Sequence, residues 1–324
     1  MKQKRLMGLA LASILVLSGC SSSTVKIDGK DVVASIDGKN ILADDLYKTM
    51  SSTGTGKTLL FSYVIDELVK EKFPVTKDMK EHAEEYVTSL ENYYKNQGDT
   101  DGSQFKSALE SSGYSTVDAF KENLIHSLQY AELKKTYIKD NFDTVFDDYY
   151  KVESPRIVSL IKVSMTDPAS PTADEKDKLD EVKSLLKTDK SFADIASEYS
   201  DDSNTKSKKG NLGIVDSTSG LTSVYGEEIE KQALALANGK VSDPIKGTDG
   251  YYFLYCSSTD KATIKKELKT VDVDSPLLNY DDYMNYLIFN TYKFEYSDKD
   301  IESAIKTVVS DALKEREEAR GDKS

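Results

Sequence analysis

The stretch from Ser191 to Tyr255 constrains the fold of this 324-residue chain more than any other segment. Its first part, SFADIASEYSDDSNTKSKKGNLG, places apolar side chains at helical spacing and then runs through a polar loop into a glycine turn. Its second part, GKVSDPIKGTDGYYFLY, turns at Asp243-Pro244 and at Asp249-Gly250 before an aromatic run that is typical of a strand. This order predicts a unit that mixes helices with sheet.

The first 20 residues predict export across a membrane. Basic residues come first, and Leu6 to Leu17 then form an apolar run that is too short to remain as a spanning helix. Leu17-Ser18-Gly19-Cys20 resembles a lipobox, the motif in which the cysteine is acylated and the chain is cut just before it. The resemblance implies a signal peptide over residues 1–19, a lipid on Cys20 and a tether over residues 20–30. An ordinary signal peptide with an incidental cysteine is the alternative.

Composition narrows the classes of partner. The formal net charge of −13 argues against general nucleic-acid binding, which needs a basic face, and against a polybasic membrane-surface domain. An acidic balance favours solubility and suits basic or neutral clients. Cys256 is the one cysteine besides Cys20, so lipidation of Cys20 would leave no partner for an intramolecular disulfide.

Hydrophobic periodicity predicts that most of the remaining chain is helical. Strand patterns occur at residues 32–36, 157–163 and 292–296. Helical patterns occur at residues 59–72, 76–146 with two turns, 172–186, 262–269, 281–289 and 299–320.

Sequence motifs for nucleotides, metals and hydrolysis are incomplete. The segment Thr53–Thr58 ends like a phosphate-binding loop, but Ser51 stands where the loop requires its first glycine. The acidic loop after Tyr199 lacks the remaining ligands of a calcium loop, and no zinc-ligand spacing occurs. Neither His82 nor His126 has the surroundings of a Ser/His/Asp site. We therefore expect no cofactor and no metal.

The order of elements from Ser154 to Asp260 resembles a parvulin-type (PpiC or rotamase) peptidyl-prolyl isomerase domain. Together with the lipobox and the helical flanks, it makes the whole chain similar to the PrsA-like foldase lipoproteins of Gram-positive bacteria. The resemblance implies an α+β fold, in which a parvulin-like domain (a small antiparallel sheet with surrounding helices) is inserted in a mostly helical chaperone domain like those of SurA and trigger factor. The implied parts are an N-terminal helical chaperone region over 31–151, the isomerase domain over 152–260, and a C-terminal helical segment over 261–324 that packs back on the N-terminal region.

The resemblance also implies a site. Parvulins hold the prolyl peptide in an apolar groove beside a polar cluster of two histidines and a cysteine or aspartate. The corresponding residues here are, for the catalytic cluster, Asp202, Ser159 and Tyr252, and, for the substrate groove, Leu212, Tyr225 and Ile229. Both histidine positions are thus replaced, and His82 and His126 lie in the helical flank. The alternative is that Asp202 serves only to form its loop and that the groove residues only pack the core.

The function implied by the resemblance is that of a foldase. It would be lipid-anchored at the extracytoplasmic face of a Gram-positive cell membrane and would bind unfolded or newly secreted proteins. Prolyl isomerisation has to overcome a rotation barrier of about 18–20 kcal/mol, and it would be a weak second activity because the histidines are missing. A fully active parvulin-type isomerase is the alternative. A solute-binding lipoprotein would need repeated βαβ units, which the helical N-terminal third does not show. The clients and the oligomeric state stay open.

Overall fold

The computed structural model describes residues 25–272 and 275–321. The predicted signal peptide, Cys20 and the first part of the tether lie outside the described residues. The described residues form two compact units: those from Val25 to Phe61 together with Tyr296–Lys306 make the first, and those from Ser62 to Glu295 together with residues 307–321 make the second. Within the described ranges, every helix is too short or too polar to span a bilayer.

A small antiparallel sheet with the strand order β1-β2-β3 opens the first unit. Its elements are β1 (Lys26–Ile27), β2 (Lys30–Ile36), β3 (Lys39–Leu42) and the following helix α1 (Ala43–Ser52). Both hairpin turns, Asp28-Gly29 and Asp37-Gly38, have positive φ at both residues, as tight two-residue turns of this kind require. Strand β1 begins at Lys26, inside the range 20–30 that the sequence analysis predicts as a tether.

Long helices form the first part of the second unit, and α2 contributes residues to both units. They are α2 (Gly54–Lys72), α3 (Lys77–Asn96), α4 (Ser103–Ser111), α5 (Val117–Asp140) and α6 (Phe142–Glu153). Threonines cap two of them, because the side chain of Thr76 accepts a hydrogen bond from the Met79 N–H and that of Thr116 from the Ala119 N–H. These helices therefore occur in the ranges that their hydrophobic periodicity predicts, and the threonine caps mark where two of them begin.

The parvulin-like domain follows, built on a four-stranded antiparallel sheet with the order β5-β4-β7-β6. Its elements are β4 (Arg156–Ser164), α7 (Ala173–Leu185), α8 (Phe192–Tyr199), β5 (Asn211–Val215), α9 (Leu221–Tyr225), α10 (Glu227–Ala235), β6 (Ile245–Lys246) and β7 (Gly250–Ser258). The predicted α+β class, with a small antiparallel sheet surrounded by helices, is confirmed.

Each face of this sheet is covered by its own apolar core. Alternate side chains of a strand point to opposite faces, so Leu160 belongs to one core and Ile161 to the other. Helices α9 and α10 cover the first face through Leu221 and Ile229, and helices α7 and α8 cover the second. The first face carries the candidate site.

The C-terminal segment contains helices α11 (Lys261–Glu267), α12 (Met284–Phe289) and α13 (Lys299–Gly321). The prediction of a strand at residues 292–296 is wrong, because no strand forms there. Phe294 instead stacks on Phe289, with ring centroids 4.3 Å apart. An alternating pattern needs a partner strand to become a strand, and none of the sheets provides one here.

The largest core of the second unit joins residues from before and after the parvulin-like domain. Leu133, Phe146 and Tyr149 come from α5 and α6, whereas Ile264 and Met284 come from α11 and α12, and all five are fully buried. The Tyr149 hydroxyl also donates a 2.7 Å hydrogen bond to Asp216, which follows β5 and is itself fully buried. The helical part and the isomerase-like part of this unit therefore share a buried polar contact.

Arginine is scarce in this chain, and two of the described arginines, Arg316 and Arg320, form ion pairs that join separate segments. Arg316 donates from Nη2 to Asp148 at 2.9 Å and from Nε to Asp281 at 3.0 Å. Arg320 contacts the same two carboxylates at 3.0 and 3.1 Å. These four residues, named the arginine clamp here, fix α13 to α6 and to the segment before α12.

All strand pairs in the described part of the chain are antiparallel. A two-lobed solute-binding protein is built from parallel βαβ units. The described residues therefore lack the architecture that this alternative requires.

Candidate functional site

The candidate site lies on the face of the four-stranded sheet that α9 and α10 cover. In the antiparallel pairing of β4 with β7, Lys162 lies opposite Tyr252 and Leu160 lies opposite Leu254. Opposite residues of an antiparallel pair share one face of the sheet. Lys162 and Tyr252 are therefore side by side, next to an apolar floor that includes Leu160 and Leu254.

Tyr252 is held between a carboxylate and an ammonium group. Its hydroxyl donates a 2.6 Å hydrogen bond to Asp249 Oδ1, and Lys162 pairs with the other oxygen of the same carboxylate. The Lys162 ammonium also lies 5.7 Å from the centre of the Tyr252 ring, within cation–π range. The hydrogen bond from Lys162 and then that from Tyr252 lower the pKa of Asp249, whereas burial and the nearby Asp249 raise the pKa of Tyr252.

Gly247 makes room for the Tyr252 ring. A Cβ atom at position 247 would lie 2.5 Å from Cε2 of Tyr252, far inside van der Waals contact. The turn at Asp249-Gly250, which the sequence analysis identified, therefore does two things. It supplies the carboxylate for the Tyr252 hydroxyl, and it lets the chain pass close to the ring.

Asp202 is buried, with 5% of its surface exposed, and one oxygen of its carboxylate accepts two hydrogen bonds. Oδ2 accepts a 2.5 Å hydrogen bond from Thr205 Oγ1 and a 3.1 Å hydrogen bond from the Tyr225 hydroxyl. The backbone N–H of Asp202 donates to Ser200 Oγ, which also accepts from the Lys162 N–H. Asp202 therefore shapes its loop and contacts the candidate site at the same time.

The turn after this loop needs a glycine at position 210, because the backbone of β4 passes very close to it. Gly210 has a φ of +82°, and a Cβ there would lie 2.6 Å from the carbonyl oxygen of Leu160. Its own carbonyl accepts a 2.7 Å hydrogen bond from the Leu160 N–H. The loop that carries Asp202 is thus fastened directly to β4.

Tyr225 connects the two halves of the site. Its ring meets that of Tyr252 edge-on, with centroids 6.1 Å apart and an interplanar angle of 74°. Burial and the neighbouring Asp202 raise the pKa of Tyr225 to about 12, against the opposing effect of a hydrogen bond with Asn204. One continuous set of contacts, named the polar chain here, therefore joins five residues: Asp202, Tyr225, Tyr252, Asp249 and Lys162.

Ser159 does not belong to this set, and its predicted place in the catalytic cluster is corrected. In the β4–β7 ladder it lies opposite Tyr255, on the face that α7 and α8 cover. Residues 159 and 162 differ by an odd number of positions, so a strand sends their side chains to opposite faces. Lys162 occupies the place beside Tyr252 that the sequence analysis gave to Ser159.

The predicted groove residues lie together beside the polar chain. Leu212 and Tyr225 are partly exposed and pack against the same apolar core as Ile229. Ile229 is 2% exposed, so it supports the groove from below and is not its surface. Next to Tyr225, Val224 is 59% exposed and extends the apolar surface. His82 and His126 lie on α3 and α5, in the helical part of the chain.

Sequence reasoning missed Lys162 and Asp249. Asp249 was noticed only as part of a turn, and Lys162 was read as one residue of an apolar strand. The two-residue period of β4 would have placed Lys162 on the same face as Leu160. Asp249 precedes β7 and has no such signal. A charged residue at an inward position of a strand generally has a buried partner.

Comparison with known proteins shows the family. The family model described as the PPIC-type PPIASE domain matches residues 160–258, which include the whole polar chain. Foldase protein PrsA 1 of Listeria innocua is 30% identical over 271 residues, which cover 83% of this chain and 80% of that relative. The chain belongs to the PrsA foldase family. Foldase protein PrsA of Staphylococcus aureus is 28% identical over 310 residues, covering 92% of this chain and 90% of that relative.

Solved structures of PrsA proteins are also similar to this chain. The crystal structure of PrsA from Bacillus subtilis covers 86% of this chain and 98% of its own, with 23% identity and a TM-score of 0.41. Membership of the PrsA family rests on the sequence relatives. The predicted resemblance to a PrsA-like foldase with a parvulin-type domain is thereby confirmed.

Proposed function

We propose that this chain is a lipid-anchored, extracytoplasmic foldase that binds unfolded or newly secreted proteins and isomerises X-Pro bonds slowly. Membership of the PrsA family and the isomerase-domain match support the foldase reading. Residues 31–151 and 261–324 would make up the chaperone domain, and residues 152–260 the isomerase domain. The prolyl segment would lie over Leu212 and the Tyr225 ring, beside the polar chain.

Slow catalysis is proposed because the hydroxyl hydrogens of the site are already in use. Prolyl isomerisation is accelerated by groups that bind the twisted amide better than the planar forms. The Tyr252 hydroxyl donates to Asp249 and the Tyr225 hydroxyl donates to Asp202, so neither has a hydrogen left for the substrate. This observation carries the proposal: the site offers apolar contact area to a proline ring and few free donors to a twisted amide.

Lys162 is the exception among the five residues. An ammonium group has three N–H donors, and the hydrogen bond to Asp249 uses one of them. Its side chain is 18% exposed, so the ammonium can still reach a substrate carbonyl. We assign the residual isomerisation to Lys162, with Tyr252 and Asp249 positioning it.

Isomerisation of a proline-containing peptide by the mature chain tests this assignment. We expect a kcat/KM below about 10⁴ M⁻¹s⁻¹, the lower end of the range for ordinary enzymes, and a further loss of at least fivefold in Lys162→Met. Lys178→Met is the matched control, because Lys178 forms a similar ion pair with Asp201 in the same domain, away from the Tyr252 ring. A kcat/KM well above this limit, insensitive to Lys162→Met, would support the fully active isomerase instead.

The foldase activity needs its own measurement. Aggregation of a chemically denatured client should be suppressed by the mature chain at molar ratios near one. Refolding of that client should be unaffected or faster. If the chain neither suppresses aggregation nor raises the refolded yield, the foldase proposal fails, whatever the isomerase assay shows.

The anchor is tested separately. Acylation of Cys20 predicts that the expressed protein sediments with membranes and that Cys20→Ala, once its signal peptide is removed, shifts most of the protein to the soluble fraction. Membrane association that survives Cys20→Ala, with the signal peptide still attached, would favour an uncleaved or ordinary signal peptide.

A further inference from the structure

Apolar side chains are unusually exposed in the three-stranded sheet and α1. Among the described residues, no residue from Val25 to Thr55 is buried. Thirteen large hydrophobic side chains are exposed in the described ranges. Seven of them lie between residues 25 and 50. They are Val25, Ile27, Val33, Ile36, Ile41, Leu46 and Met50, and they are named the N-terminal apolar surface here.

The sheet has one apolar and one polar face near its β2–β3 hairpin. Ala34 pairs with Ile41 and Ile36 pairs with Lys39, which places both isoleucines on one face. On the other face the Ser35 hydroxyl donates a 2.7 Å hydrogen bond to Asn40. Ile36 is 63% exposed and Ile41 is 41% exposed. Helix α1 packs against β2 and β3, and the apolar side chains that nevertheless stay exposed form the kind of patch that usually marks an interaction surface.

Chain length brings this surface close to the predicted lipid. Val25, the first residue of the surface, is five positions after Cys20. Five extended residues span at most about 17 Å, which is less than the thickness of a bilayer's hydrocarbon core. Acyl chains on Cys20 would therefore hold the sheet at the headgroup region.

Charge is consistent with a lipid surface as the cover. Residues 25–61 contain five lysines and five aspartates, so their formal net charge is zero, whereas the whole chain carries −13. Residues 25–61 thus lack the acidic excess that would repel an anionic bilayer, and Tyr296–Lys306 adds a formal charge of only −1 to this unit. Lys39, which pairs with Ile36, has a long stem that can cover apolar surface while its ammonium stays at the headgroups.

We propose that the N-terminal apolar surface lies on the lipid bilayer and is a second membrane contact beside the acylated cysteine. The proposal rests on the lipoprotein reading of Cys20. A second contact changes what the anchor does, because lipid chains alone leave a protein free to pivot, whereas an apolar face fixes one side of the unit against the membrane.

Vesicle flotation of the unacylated chain, residues 21–324, tests the surface without any acyl contribution. We expect a measurable fraction to float with phosphatidylcholine vesicles and to do so equally at low and high salt, because the contact is apolar. The double variant Ile36→Ser/Ile41→Ser should lower the partition coefficient at least tenfold. Tyr86→Ser/Tyr93→Ser is the matched control, since these side chains are 55% and 57% exposed on α3 in the other unit.

Three results would overturn the proposal. The first is the absence of flotation, and the second is an equal loss of vesicle partitioning in the control variant. The third is self-association of the unacylated chain that Ile36→Ser/Ile41→Ser abolishes, because a second copy of the chain would then cover the surface. Both double variants replace exposed residues, so their unchanged circular dichroism is the check on folding. Because this protein lacks Cys20, failure here leaves the fractionation of Cys20→Ala as an independent test of the anchor.

Discussion

Replacing Arg316 by lysine should loosen the C-terminal helix although the charge is kept. Arg316 reaches two carboxylates from different atoms of one planar group, with Nη2 on Asp148 at 2.9 Å and Nε on Asp281 at 3.0 Å. A lysine ammonium is a single compact centre at the end of a flexible stem and does not reproduce this fork. We therefore expect the ammonium of the Arg316→Lys variant to keep one of the two partners.

The expected cost follows from the burial of the partners. The Asp281 side chain is 1% exposed, and those of Arg316 and Asp148 are 17% and 27% exposed. A hydrogen bond to a charged group contributes about 1.5–3 kcal/mol, and the partial exposure reduces this toward the lower end. Arg316→Lys should thus lower the free energy of unfolding by about 1–2 kcal/mol. Arg316→Met removes both of these hydrogen bonds while Arg320 still contacts each carboxylate, so it should cost more than Arg316→Lys, about 2–3 kcal/mol.

Urea unfolding followed by circular dichroism measures these differences, with Lys314→Met as the matched control. Lys314 pairs with Glu318 on the same helix at 3.8 Å, but both side chains are largely exposed, so its loss should stay below about 0.5 kcal/mol. A double-mutant cycle between Arg316→Lys and Asp281→Asn should show strong coupling. If Arg316→Lys unfolds at the same urea concentration as the native chain, the two-carboxylate fork does not stabilise α13 and the reasoning is refuted.

Further predictions concern the site and its domain. Gly247→Ala should push the Tyr252 ring aside and lower isomerisation without unfolding the chain, which ring NMR signals and the peptide assay would detect. Isomerisation should be constant between pH 6 and 9, because the pKa of Tyr225 is about 12 and that of Tyr252 is raised too. Hydrogen bonds from the N–H groups of residues 166 and 172 lower the pKa of Glu175 to about 2. Its stabilisation is therefore complete above about pH 4.5 and lost toward pH 2, so the urea midpoints of native and Glu175→Gln protein should converge over that range.

Much of the fold could be predicted from local signals. Thr76 and Thr116 are residue types that commonly cap a helix N-terminus, and a helix begins directly after each of them. The turn residues Asp249-Gly250 indicate where β7 begins. The segment at residues 292–296 shows the limit of such signals. Its alternation satisfies the strand pattern, but a strand depends on a neighbour to hydrogen-bond with, and sequence periodicity does not tell whether a neighbour is present.

The candidate site shows a second limit, which is register. Asp202, Tyr225, Tyr252 and Leu212 could be placed from resemblance to a family, and the structure brings them together. Ser159 could not, because one residue of slip on a strand exchanges the two faces of a sheet. Lys162 was therefore not predicted, although its ammonium lies 5.7 Å from the centre of the Tyr252 ring.

The candidate site contains tyrosine, carboxylate and lysine groups, and their pairing affects which activity the site favours. Each hydroxyl of the polar chain is paired with a carboxylate, and Asp249 in turn is paired with Lys162. Both tyrosine hydroxyls are already hydrogen-bonded before any substrate binds, so a twisted amide could take a hydrogen bond from either of them only if an existing one broke. An apolar proline ring needs none of these donors and gains contact area on Leu212 and the tyrosine rings. The same residues that close the polar chain therefore favour holding a client segment over accelerating its isomerisation, with Lys162 as the one donor still available.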